Sequence, residues 1–137
     1  MASTAAARLT TRPMPLALEP VSLHLVRHHR TDLDPAVMLV AELVRARRTY
    51  VRVEDRQVVF KAELAVVTPH TAQVQGVWVD PAWRGRGIAA PAMAAVVTDA
   101  LGRVAPTVSL YVNDYNHAAR RVYARCGFRS AGTFATI

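Results

Sequence analysis

The residues best suited to chemistry cluster between Val77 and Ala89. There Val77-Trp78-Val79-Asp80-Pro81 reads as a strand and its end, and Ala82-Trp83-Arg84-Gly85-Arg86-Gly87 as a loop that opens into an apolar helical run from Ile88 and Ala89. A helix that begins directly after such a loop gathers unpaired N–H groups and the positive end of its dipole at one point, which suits a pyrophosphate. Gly85 and Gly87 let the loop curl and leave room for phosphates to approach the main chain. Arg84 and Arg86 add positive charge at the rim. An ordinary strand-to-helix turn with arginines for solubility fits the same residues. No Gly-Lys-Ser/Thr follows, so this is not a Walker loop, and the third glycine of a dinucleotide fingerprint is missing.

A second cluster runs from Asn116, a good helix N-cap, to Gly127-Phe128. On the helix expected over Ala118 to Arg125, Tyr123 carries the one side-chain hydroxyl. Such a phenol can serve as a general acid, or can simply pack as an aromatic on a helix face. Cys126 is the single cysteine, which excludes an internal disulfide and a cysteine-based zinc site. Between Tyr123 and Phe128 it reads as helix-end packing, and a lone thiol fits a reducing, cytoplasmic setting.

Taken together, the two clusters resemble the GNAT superfamily of N-acetyltransferases. The family's cofactor motif, Arg/Gln-x-x-Gly-x-Gly/Ala, is matched by Arg84, Gly87 and Ala89. Its second motif, Asn-x-x-Ala-x-x-x-Tyr-x-x-x-Gly-Phe, is matched by Asn116, Ala119, Tyr123, Gly127 and Phe128. The resemblance extends over about residues 21–137. Around Gln75 to Val79 and Val108 to Asn113 it looks closest to the C-terminal half of tandem actinobacterial acetyltransferases.

The resemblance implies acetyl-CoA as acyl donor and a primary amine as acceptor, joined by direct attack in a ternary complex. It implies that the backbone of Val77, Trp78 and Val79 pairs with the pantetheine amides as an added strand does. The amides of Arg84, Gly85, Arg86, Gly87, Ile88 and Ala89 would hold the pyrophosphate. Asn116 would reach the pantetheine arm as well as capping its helix, and Tyr123 would protonate the departing thiolate. The sheet would splay between the strands ending at Val79 and Val112.

The elements that must position these groups follow from periodicity. Met1 to Pro20, with its Ala, Ser and Thr content and three prolines, reads as a loose tail. The rest, residues 21–137, is expected to be one domain. Val21 to Val26 suits a strand, and Asp34 to Arg48 an amphipathic helix with Pro35 at its first turn. Tyr50 to Val53 and Val58 to Val67 read as strands joined through Glu54-Asp55-Arg56, with Val58, Phe60, Ala62, Leu64 and Val66 on one face. Ala72 to Val79 is a further strand, Ile88 to Leu101 a buried helix, and Val108 to Val112 a strand. Ala118 to Arg125 is a helix ended by Gly127, and Thr133 to Ile137 a last strand. Strands mixed with helical crossovers define an α/β domain with a mixed sheet.

The formal charge of +7 points to an anionic partner without choosing among phosphate-bearing small molecules, nucleic acid and membrane. No apolar run reaches the roughly 20 residues of a membrane span, so a soluble protein is expected. The general base is not apparent. Where many family members carry a glutamate before the cofactor loop, Gln75 stands, and glutamine cannot accept a proton. Glu63 or His70 could act through water, although both read first as surface residues. A weak base favours low-pKa acceptors, because deprotonating a lysine amine at pH 7 costs about 4.6 kcal/mol and an α-amine about 1–1.4 kcal/mol.

Two departures from the family pattern stand out. One helix is available on the acceptor side where two are usual, and the chain stops before a further terminal strand. The exposed edge near residues 133–137 is expected to pair in a homodimer. Two other functions compete with transfer: a CoA-binding domain with impaired catalysis, and a basic nucleic-acid-binding module. The second lacks a recognition helix or an aromatic platform.

Overall fold

In the computed structural model, residues 2–7, 19–20 and 43–134 are described. They form a seven-stranded sheet in the order β2-β3-β4-β5-β6-β1-β7. The strands are β1 (Ala2–Ala7), β2 (Glu19–Pro20), β3 (Thr49–Glu54), β4 (Gln57–Val67), β5 (Ala72–Val79), β6 (Val108–Asn113) and β7 (Phe128–Phe134). Two helices complete it, α1 (Ala89–Arg103) and α2 (His117–Arg125). Every neighbouring pair is antiparallel except β5 and β6. The expected strand at Val21–Val26 and the start of the following helix lie outside the described residues, and residues 43–45 are helical.

The β3–β4 hairpin turns at Asp55 and Arg56, both with positive φ (47° and 64°), a geometry that matches the twist of the flanking strands. On β4, Phe60, Ala62 and Leu64 face the core as periodicity requires, but Val58 and Val66 do not join them. Register shifts on either side of that triplet add a residue to β4 each time, so alternation is reset and the outer valines turn outward. The triplet packs with Val74 and Leu110 beneath Met93, Val96 and Ala100 of α1. The buried positions of α1 recur at helical spacing, and its alanines allow close approach to the sheet.

The N-terminal segment departs from expectation. Of the expected tail over Met1 to Pro20, residues 8–18 lie outside the described residues, but Ala2–Ala7 form β1, which runs between β6 and β7 with Ala2 opposite Asn113 on one side and Phe134 on the other. Small side chains and backbone pairing on both edges suffice for a strand, and periodicity carries no signal for such a segment. The last strand also starts earlier than expected, at Phe128, because Gly127 turns the chain at φ 90° directly out of α2. β7 forms the outer edge of the sheet.

Candidate acyl-donor cleft

β5 and β6 pair over three positions, Ala72–Val108, Gln73–Ser109 and Val74–Leu110. Beyond them β5 continues to Val79 and β6 to Asn113 with no shared ladder. The sheet therefore opens toward the cofactor loop. A bulge in β5 marks the parting: between the pairs Lys61–Trp78 and Glu63–Gln75, β5 carries one residue more than β4, and Gly76 sits there at φ 61°. The bulge resets alternation, so Val77 and Val79 pack toward the core while Gln75 and Trp78 are exposed.

At the end of β5, Asp80 accepts a hydrogen bond from the Ala82 amide at 2.8 Å and caps a short 3₁₀ turn at Pro81–Trp83. Gly85 and Gly87 both have φ 74°, a left-handed conformation that other residues adopt only with strain. The N–H groups of Gly85, Arg86 and Gly87 donate to no acceptor among the described residues. α1 begins without a side-chain cap and without an acidic residue in its first turn. These are the orphan donors that an anion satisfies.

The loop, the N-terminus of α1 and one side of α2 enclose a cleft of about 730 Å³. Of the residues singled out from sequence, Val77, Trp78, Val79, Arg84, Gly85, Gly87, Ile88, Ala89, Asn116 and Tyr123 all line it. Arg86 does not; its guanidinium stacks over the Trp83 ring, 4.8 Å from the centroid. The Arg84 Nε donates to the Val79 carbonyl at 3.1 Å, tying the loop back to the strand. The Asn116 side chain caps α2 by accepting from the Ala119 amide at 3.2 Å.

Arg121, close to Tyr123 in sequence but not placed by the motifs, and Arg125, which sequence reasoning missed, line the cleft together with Arg84. Their i, i+4 spacing on α2 was the available signal. Arg120, adjacent to them, turns away to the Asp114 carbonyl at 3.3 Å. No acidic side chain is among the lining residues. Local charge thus does what net charge could not: it points to an anionic ligand of small-molecule size.

Tyr123 is 9% exposed, and its ring meets Phe128 edge-on at 5.9 Å. Burial, reinforced by Cys126, raises its phenol above the ordinary value, so it is protonated at neutral pH, the form a proton donor requires. Burial also pushes the Cys126 thiol up to about 11, and Sγ donates to the Ala90 carbonyl at 3.3 Å. Cys126 is thus helix-end packing. His70 sits in the Thr68–Thr71 turn, at the opposite end of β5 from the cofactor loop, which separates it from the cleft by roughly 20 Å of strand.

A parallel strand pair that splits beside uncapped helix amides and three arginines is a geometry that suits a phosphate-bearing ligand. Residues 16–128 match the model of the acetyltransferase (GNAT) family, and the chain belongs to that family. The family's acyl donor is acetyl-CoA. Among solved structures, a GNAT-family acetyltransferase from Colwellia psychrerythraea superimposes with a TM-score of 0.71 at 14% identity, over 95% of this chain and 52% of that one. A Clostridium acetobutylicum structure solved with acetyl-CoA gives 0.60 at 16% identity, over 82% and 80%. The ribosomal-protein-alanine N-acetyltransferase from Brucella melitensis gives 0.56 at 18%, over 76% and 80%. At these identities the likeness is one of fold, and this chain spans about half the length of the Colwellia protein. Comparison with curated proteins gives no match. Among the described residues, no helix is long and apolar enough to cross a membrane.

Proposed function

We propose that this chain transfers an acetyl group from acetyl-CoA to a primary amine, by direct attack of the amine on the thioester while both are bound. The observation that carries the reading is that Tyr123 and the unpaired amides of the glycine loop face one cleft. The amides from Gly85 to Ala89 take the pyrophosphate, with Arg121 and Arg125 adding charge; the Arg84 amide, expected to join them, instead donates to the Pro81 carbonyl at 3.4 Å. Arg86 holds the loop through Trp83 and offers its backbone amide. The main chain of Val77 to Val79 meets the pantetheine amides, with Asn116 close to the same arm.

As the C–N bond forms and the C–S bond breaks, Tyr123 gives its proton to the thiolate. From a phenol near 10 to a thiol near 8.5 this is uphill by about 2 kcal/mol, and burial adds to that. Proton transfer is therefore concerted with thiol departure. Because an α-amine is easier to deprotonate than a lysine, α-amines are the favoured acceptors. The Brucella relative, whose name describes acetylation of an alanine of a ribosomal protein, is consistent with that class.

The test is release of free thiol from acetyl-CoA across a panel of amino acids, peptides, polyamines and aminoglycosides. Thiol release that requires an amine is expected, with α-amines ahead of lysine-type amines. A second reading, a CoA-binding domain with impaired catalysis, is favoured by Gln75, which puts no carboxylate at its place on β5. It predicts acetyl-CoA binding with no thiol release above the uncatalysed rate. A homodimer through the β7 edge is part of the same proposal, and light scattering at tens of micromolar protein tests it.

A further inference from the structure

β4 carries a carboxylate where the sheet opens, on the face turned away from α1. Phe60, Ala62 and Leu64 point into the core, so Lys61 and Glu63 between them point to the other face. Glu63 stands opposite Gln75, the last residue of β5 before the bulge. Its side chain is 13% exposed, and its Oε1 lies 2.8 Å from Lys61 Nζ. Its Oε2 reaches over Gly76: a Cβ built on that glycine would stand 3.3 Å from this oxygen. With no side chain on Gly76, nothing from that residue stands over Oε2, while Oε1 is buried beside the Lys61 ammonium with no hydrogen-bond partner among the described residues. The charged group beside Glu63 is Lys61; its cross-strand neighbours Thr49 on β3 and Gln75 on β5 carry no charge.

Resting on the amine-transfer reading above, we propose that Glu63 Oε2 is the acceptor-amine site and proton acceptor, taking over from the neighbouring strand the task Gln75 cannot perform. The acceptor arrives as a primary ammonium, hydrogen-bonds to Oε2 across Gly76 and gives that oxygen one proton. The freed lone pair attacks the thioester carbon. The nitrogen loses a second proton as the amide forms, and the thiolate gains one through Tyr123, so one proton is released per turnover. Lys61 is a positioning residue that holds the carboxylate in register.

The experiment compares wild type with Glu63→Gln, using an N-terminal alanyl tripeptide and Nα-acetyl-lysine as acceptors, with kcat/KM measured from pH 6 to 9. Acetyl-CoA affinity by calorimetry and the circular dichroism spectrum report on the cofactor site and the fold. Glu63→Gln is expected to lower kcat/KM by roughly 10²-fold or more, with acetyl-CoA affinity within twofold. Its kcat/KM should then climb tenfold per pH unit up to the pKa of the amine, because only free base reacts, whereas the wild-type profile is flatter. Lys61→Met, which frees Oε1 but keeps Oε2, should lose less and retain the wild-type profile. Wild-type rates and an unaltered pH profile in Glu63→Gln overturn the assignment of Glu63 alone. A wild-type protein that binds acetyl-CoA but acetylates no amine overturns the transfer reading as well.

Discussion

The phenol of Tyr50 on β3 donates a 2.7 Å hydrogen bond to Asp99 on α1, linking the edge half of the sheet to the helix that fronts the cleft. Arg103, one turn further along α1, closes the group: its Nη2 lies 2.8 Å from Asp99 Oδ2, 3.3 Å from the Tyr50 hydroxyl and 2.8 Å from the Arg47 carbonyl. The Arg103 hydrogen bond holds the Asp99 carboxyl below its ordinary value of 3.8, against burial, with Tyr50 assisting. A depressed carboxyl contributes stability that is full above that ordinary value and fades as pH falls through the folded value. Asp99→Asn should therefore lower Tm at pH 7 by about a few degrees and flatten its fall below about pH 4. The side chain is 43% exposed, so screening limits the effect to about 1 kcal/mol. Thermal unfolding at pH 7, 4 and 2.5 measures both.

Tyr123→Phe removes the hydroxyl and keeps the ring against Phe128. With the phenol as acid, kcat should fall by roughly 10²–10⁴-fold while acetyl-CoA affinity stays within a few-fold. Steady-state kinetics and calorimetry on one folded preparation give the pair of values. An unchanged kcat, with chemistry limiting turnover, removes Tyr123 from the mechanism.

Gly87 tests the loop. A Cβ there would meet nothing within 4 Å, so substitution does not clash inside the protein. It instead strains a residue at φ 74° and projects into the cradle. Gly87→Val is expected to weaken acetyl-CoA binding at least tenfold, about 1.4 kcal/mol, and Gly87→Ala by less. Equal affinity in a folded Gly87→Val variant would show that the phosphates lie elsewhere.

Cys126 should be chemically quiet. With its thiol raised to about 11 by burial and bonded to the Ala90 carbonyl, its thiolate fraction at pH 8 is about a thousandth. Maleimide labelling at pH 8 should be slow in the folded protein and fast in denaturant. Rapid labelling of folded protein contradicts the packing described.

The sequence alone determined the elements with strong local signals. Asn116 could be read as a cap and Gly127 as a helix stop because each acts on its own few neighbours, and the structure has both in those roles. The glycine loop was legible for the same reason, since φ near 74° at Gly85 and Gly87 is a local demand. Family membership followed from the order of the two motifs. Tertiary structure decided the rest. Whether Val58 and Val66 face the core depends on bulges set by pairing with β3 and β5, which no alternation within β4 records. β1 finds its place only because β6 and β7 leave two edges for it, a long-range pairing invisible in an alanine-rich segment. Arg121 and Arg125 reach the cleft because α2 turns that face inward, while Arg120, one residue away, does not. Glu63 comes to the opening only through its register with Gln75 and the missing side chain of Gly76. Local chemistry is written in neighbouring residues, but which side chains share a site is fixed by strand register and helix rotation, and these are properties of the assembled sheet.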